Sequence, residues 1–315
     1  MSSLSAVLAL TFALASGAAS AQEPATQTPA RPSAQLEDVV VEGRQLEALV
    51  ADFVSEIAQP ANNRGLARWN RAVCVGAVNL RGDVARYVID RVSDVARELG
   101  VHASEPGCRP NILIVGTVDG ATLASTVAAA RPQTFDLRHN STDAGTAAFR
   151  AFLTADRPVR WWQTSLPVDS ETGGRAVRLP GDIDPATGRP SAPGINITGG
   201  ASRLRTQIRD SMVRSIVIID FDRLGGADLV QLADYVTFVA LAQIDHEADI
   251  AGFRTILNLF DDPATAPEGL TDWDTAYLGA LYEHDQLRIN RHSQTRSVVD
   301  SVVRERRAAS EATPE

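Results

Sequence analysis

Two apolar runs flank one strongly amphipathic segment between residues 71 and 118, and this arrangement constrains the fold more than any other feature of the chain. RAVCVGAV (71–78) and NILIVGTV (111–118) are rich in β-branched residues and read as strands. Between them, GDVARYVIDRVSDVAREL (82–99) sets Val84, Tyr87, Val88, Val92, Val95, Ala96 and Leu99 on one helical face, and Gly100 stops the helix. Strand, helix and strand in that order predict a right-handed crossover that leaves the two strands parallel. Further strands are predicted at VRWWQTSL (159–166) and RSIVIIDF (214–221), with helices at 121–130 and 143–153. The fold class expected from these elements is α+β, a mixed sheet with packed helices.

The C-terminal third carries the second strong signal. After Gly225-Gly226 turns the chain, residues 227–244 form a helical segment that is apolar nearly all round and is therefore expected to be buried. DHEAD (245–249) reads as an acidic loop, and Thr271 followed by Asp274 as a capping-box start of a further helix. SQTRSVVDSVVRERR (293–307) is amphipathic, with Val298, Val299, Val302 and Val303 facing inward.

The order of QLADYVTFVALAQI, FRTILNLF and GLTDWDTAYLGALY within residues 231–282 resembles the C-terminal half of the metzincin zinc peptidases: a ligand-bearing helix, a tight turn carrying a methionine, and a closing helix. It is also similar to a group of exported bacterial proteins in which the same frame has lost its histidines. The opening strand–helix–strand agrees with the way a metzincin domain begins. Those enzymes carry H-E-x-x-H-x-x-G-x-x-H, with two histidines one helical turn apart to grip a single ion and a glutamate to activate its water. Matching the motif puts Ala233 and Thr237 at the paired histidines, Asp234 at the glutamate, Ala240 at the glycine, Gln243 at the third histidine and Leu257 at the methionine of the turn. Alanine cannot bind a metal, threonine is a poor ligand, and one glutamine does not hold zinc against water. The resemblance therefore implies the frame without its zinc chemistry, and no cofactor is expected.

Substitute sites are few. Asp234, on a buried helix, either bonds a neighbouring backbone or arginine or lines a cleft, and it is the one weak catalytic candidate. Trp161 and Trp162 point to opposite faces of a strand. One is expected in the core and the other is partly buried or lines a groove, so both join Asp234 as binding candidates. His246, Glu247 and Asp249, joined by Asp245 and by His284 or His292, are the weak metal candidates, although the spacing fits no ordered metal loop and acidic loops are usually solvated. No G-x-S-x-G supports a serine hydrolase.

Residues 1–21 read as a secretory signal, with an apolar run from about Ala6 to Ala15 and an A-x-A cleavage site at Ala19-Ser20-Ala21. QEPATQTPARPSAQL (22–36) reads as a flexible linker, and EDVVVEGR (37–44) as a short strand similar to one near the start of outer-membrane receptor plug domains. One domain is expected over 37–308, interrupted by a long Gly/Pro-rich loop at 167–200 and followed by a disordered tail at 309–315. Export to an oxidising compartment makes a Cys74–Cys108 disulfide the default, and parallel neighbouring strands bring those two positions together.

The net charge of −9, with every basic side chain an arginine and no basic stripe, argues against nucleic acid as a partner. No segment is long and apolar enough to span a bilayer. The expectation is a periplasmic or secreted protein that binds a peptide or protein segment on an inactive peptidase-like domain, with its oligomeric state open. Two alternatives stand beside it: a hydrolase with a relocated or metal-independent site, and an accessory protein of the cell envelope tethered through residues 22–44.

Overall fold

The structure, a computed structural model, describes residues 36–61, 64–135, 143–177, 186–189, 205–261, 266–288 and 290–312. Four strands, β1 (Val75–Val78), β2 (Ile112–Thr117), β3 (Val159–Asp169) and β4 (Ile208–Asp220), form one mixed sheet in the order β1-β2-β4-β3. β1 pairs with β2 in parallel from Val75↔Ile112, and β2 with β4 in parallel from Ile112↔Ser215. β3 lies antiparallel on the outer side of β4, with a bulge between Thr164 and Ser165. The helices are α1 (Leu36–Ile57), α2 (Gly82–Glu98), α3 (Gly120–Ala130), α4 (Pro132–Phe135), α5 (Gly145–Thr154), α6 (Leu229–Leu241), α7 (Asp272–Glu283) and α8 (Arg291–Ala312). This is an α+β protein, as the order of its elements predicts.

Alternation along β3 and β4 sorts the core into two layers. Trp161, Val217 and Ile219 face a large cluster with α2, α6, α7 and α8, whereas Trp162, Ile216 and Ile218 face a smaller one with Phe135 and Phe152. The amphipathic face of α2 buries Val88, Val92, Val95 and Ala96 in the larger layer. Every residue from Leu232 to Leu241 in α6 is buried, which is why this helix lacks a polar stripe. Its start is set by an Asp228–Gln231 capping box, and the Thr271–Asp274 box starts α7 as expected.

The Cys74–Cys108 disulfide forms, with Cα atoms 6.1 Å apart. It closes the joint at which β1 and β2 begin, where the Asn111 side chain also accepts a hydrogen bond from the Cys74 N–H and donates one to the Ala72 carbonyl.

Three boundary expectations are corrected. Residues 37–44 belong to α1 rather than to a strand. A strand there would need a partner ladder, whereas helix already nucleated by the buried Val50, Phe53, Val54 and Ile57 propagates at little cost. Residues 167–169 belong to β3 rather than to the loop, and Pro167 is tolerated because β3 is an edge strand. The chain then folds back at once, as Asp169 accepts from the Glu171 and Thr172 N–H groups. Residues 309–312 extend α8, where Ser310 donates to the Arg306 carbonyl one turn earlier. The signal segment 1–21, most of the 22–36 linker, most of 178–200 and residues 313–315 lie outside the described residues. Val41–Glu315 form one compact unit, and among the described residues no helix is long and apolar enough to cross a membrane.

Candidate functional site

The positions that the resemblance would set at zinc ligands are packed interior. Ala233 and Thr237 are fully buried on α6, and the Thr237 hydroxyl donates to the Ala233 carbonyl of its own helix at 2.7 Å. Gln243 is buried after the helix end, its amide donating to Ser165 Oγ at 3.4 Å. Ala240 presents its carbonyl to Trp69 Nε1 at 2.9 Å. Leu257 lies in a tight turn at Ile256–Phe260 beneath α6. A zinc ion needs three or four nitrogen, sulfur or carboxylate donors facing one point, and these residues do not fit it. Among the described residues no group of three histidines, cysteines or carboxylates converges elsewhere.

Asp234, where the motif would have its glutamate, is a structural clamp. Its carboxylate accepts from Arg91 Nε on α2 at 2.5 Å and from the Leu270 N–H at 2.8 Å, so it joins α2, α6 and the approach to α7. A Cβ at Gly269 would stand 2.5 Å from Asp234 Oδ2, so glycine there allows the backbone to close on the carboxylate. Of the two readings open to Asp234, the bonded one holds. The arginine partner could not be named from sequence, because it lies 143 residues away. Asp234→Ala would leave a half-buried guanidinium and a backbone N–H without their acceptor. Because the Arg91 side chain keeps 33% of its exposure, the expected loss is at the low end for a broken buried pair, about 2–3 kcal/mol. Asp234→Asn, which still accepts from Leu270, should lose less; urea unfolding of the two variants checks this order.

An accessible concavity lies on another side of α6. A cleft of about 310 Å³ opens between the start of β3, α6 and the turn Ile256–Phe260, with Trp161, Tyr235, Leu257 and Phe260 as its apolar wall. The Trp161 and Tyr235 rings meet edge-on at 6.1 Å, and Tyr235 packs on Phe260 at 5.0 Å. Trp161 Nε1 donates to the Ile244 carbonyl, which fixes the indole at the cleft edge.

The polar part of the cleft comes from two loops. Arg157, half-buried just before β3, donates to the His246 carbonyl, and its Nε is buried without an acceptor among the described residues. Among the described residues no carboxylate lies at ion-pair distance from Arg157. Nearby Asp156 pairs instead with Arg223. His246 stacks edge-on against Trp161 at 5.7 Å, and its Nε2 sits 3.1 Å from the Ala148 carbonyl. A carbonyl only accepts, so Nε2 carries the proton. Burial first, and then the Arg157 cation, hold the imidazole below its ordinary pKa, so it is neutral at pH 7. Burial raises the Tyr235 phenol above its ordinary range, so its hydroxyl stays protonated.

Of the sequence candidates, Trp161 and His246 meet at this cleft. Trp162 does not: it is enclosed in the smaller core layer, 5.0 Å from Phe149 and 5.9 Å from Phe152. Glu247 and Asp249 are exposed and form no ligand set with His246; the Glu247 N–H caps Asp245, and the Asp249 N–H lies 3.4 Å from Glu56. His284 is buried at the end of α7 against the Leu281 carbonyl, and His292 is exposed at the start of α8. Sequence reasoning missed Arg157, Tyr235 and Phe260. The only signal was a charged residue beside Pro158 and ahead of a tryptophan pair. Among the described residues no serine, threonine or cysteine lines the cleft, whose polar groups are the Arg157 guanidinium, a neutral imidazole, a protonated phenol and the carboxylates of Asp156, Asp245 and Asp261. No protein family, curated protein or solved structure matches the chain.

Proposed function

We propose that this chain is an exported, periplasmic or secreted binding protein built on a metzincin-like frame that no longer performs zinc chemistry, and that it holds a peptide or protein segment. One observation carries the reading: Ala233, Thr237 and Gln243 are sealed in the core, while the cleft beside them is open and lined by aromatic rings with one arginine. The β1–α2–β2 opening, the buried α6, the turn at Ile256–Phe260 and the closing α7 support the frame, since they follow in the order that the resemblance implies. The disulfide is compatible with an oxidising compartment.

Two measurements on the purified chain test this together: metal content by mass spectrometry and hydrolysis of a mixed peptide library. The expected results are less than about one-tenth of an equivalent of zinc and no cleavage above buffer, as follows from a donor set that cannot hold the ion. Stoichiometric zinc, lost together with peptide cleavage in His246→Ala, would instead establish a hydrolase with a relocated site.

A further inference from the structure

We propose that the cleft beside α6 binds the carboxyl end of a peptide, with Arg157 taking the terminal carboxylate and the aromatic wall taking the last side chain. The inference deepens the binding reading above and rests on it. Arg157 is a half-buried cation whose Nη1 donates to the His246 backbone carbonyl and whose Nε has no acceptor among the described residues. A guanidinium in that condition is satisfied best by a planar carboxylate, which accepts two parallel N–H bonds. The carboxylates around the cleft do not fill this role. Asp156 is held by Arg223, Asp245 accepts from the Glu247 N–H of its own loop, and Asp261 remains at the rim beyond Phe260.

Those same acids select among anions. Asp156, Asp245 and Asp261 disfavour a phosphate or another polyanion more strongly than a singly charged carboxylate, whose one charge Arg157 can match. Trp161, Leu257 and Phe260 give the ligand body an apolar surface, which favours an aliphatic or aromatic last residue. A volume of about 310 Å³ is at the small end for ligand sites and suits one or two residues rather than an extended segment. The wall is held from behind by the hydrogen bond of Trp161 Nε1 and by the Tyr235–Phe260 contact, so little ordering is left for the ligand to drive.

Calorimetric titration of the full chain with N-acetyl-alanyl-phenylalanine, the same peptide as its carboxyl amide, free phenylalanine and inorganic phosphate separates the contributions. The free acid is expected to bind saturably and at least about tenfold more tightly than the amide, the difference that a charge-assisted fork contributes. Arg157→Ala should remove that preference while leaving the weaker amide binding in place. Phosphate in tenfold excess should not compete.

Equal binding of acid and amide overturns the assignment, and so does no binding of the acid at millimolar concentration. Equal or tighter binding of free phenylalanine overturns the peptide source. The acid–amide comparison needs no variant, so a misfolded Arg157→Ala leaves the test intact. These outcomes are independent of zinc content and peptide cleavage, so the cleft assignment and the non-catalytic reading can fail separately.

Discussion

Replacing Cys74 and Cys108 together by serine should lower the free energy of unfolding by about 3–4 kcal/mol, the contribution expected for a cross-link whose ends are 34 residues apart. The effect should fall mainly on the unfolded chain. In the native state the joint is held a second time by Asn111, and Val73 pairs across to the 102–104 segment through the His102 carbonyl and the Ser104 N–H. The variant is therefore expected to keep its far-ultraviolet spectrum while its urea midpoint drops. Its dependence on denaturant should also steepen, since an unlinked chain exposes more surface when it unfolds. Wild type treated with a reductant should behave as the double variant does. A loss below about 1 kcal/mol would mean that the strand pairing and Asn111 alone define the joint, and that the chain-entropy account fails here.

That joint was legible in the sequence because each of its parts is local. A strand, an amphipathic helix and a strand within fifty residues leave few ways to pack, and the cysteines follow from the pairing they imply. The burial of α6 was legible for a similar reason, as a helix without a polar stripe has only the interior to occupy. The alternation that sends Trp161 and Trp162 to different layers needed only the strand period.

The misreadings share a cause. Val39, Val40 and Val41 favour a strand by intrinsic preference, but a strand depends on a partner that lies elsewhere in the chain, and here none is supplied among the described residues. The cleft was illegible because Arg157, Tyr235 and Phe260 lie on three separate elements, and nothing in a single sequence ties them together. Asp234 shows the same limit from the other side. Its position in a motif suggested chemistry, while its role is set by an arginine on another helix. A motif fixes spacing along one element, and function depends on what the other elements bring to it.

The buried histidine at the end of α7 leads to the second large expected effect, a loss of stability on mild acidification. His284 is only 3% exposed, its Nδ1 donates to the Leu281 carbonyl and its Nε2 has no partner among the described residues, so a positive charge there would be poorly accommodated. Desolvation lowers its pKa from 6.5 to about 4. Above pH 6.5 the imidazole is neutral in both the folded and the unfolded chain, and it contributes no pH dependence. Between 6.5 and about 4 the unfolded chain binds a proton that the folded chain refuses, so stability is lost as the pH falls through this window, and the loss levels off below it. At 1.36 kcal/mol per unit, the full loss is about 3 kcal/mol. His246, also held low by burial, contributes with the same sign, whereas the raised carboxyls of Asp274 and Glu305 act in the opposite direction. The contribution of His284 is therefore read as a difference. His284→Asn keeps an amide donor for the Leu281 carbonyl and removes the titration, so urea unfolding at pH 7 and pH 4.5 should show wild type losing about 2–3 kcal/mol more than the variant over that interval. Parallel losses in the two proteins would show that His284 is protonated inside the fold, and that a water or a movement of the α7 terminus accommodates its charge.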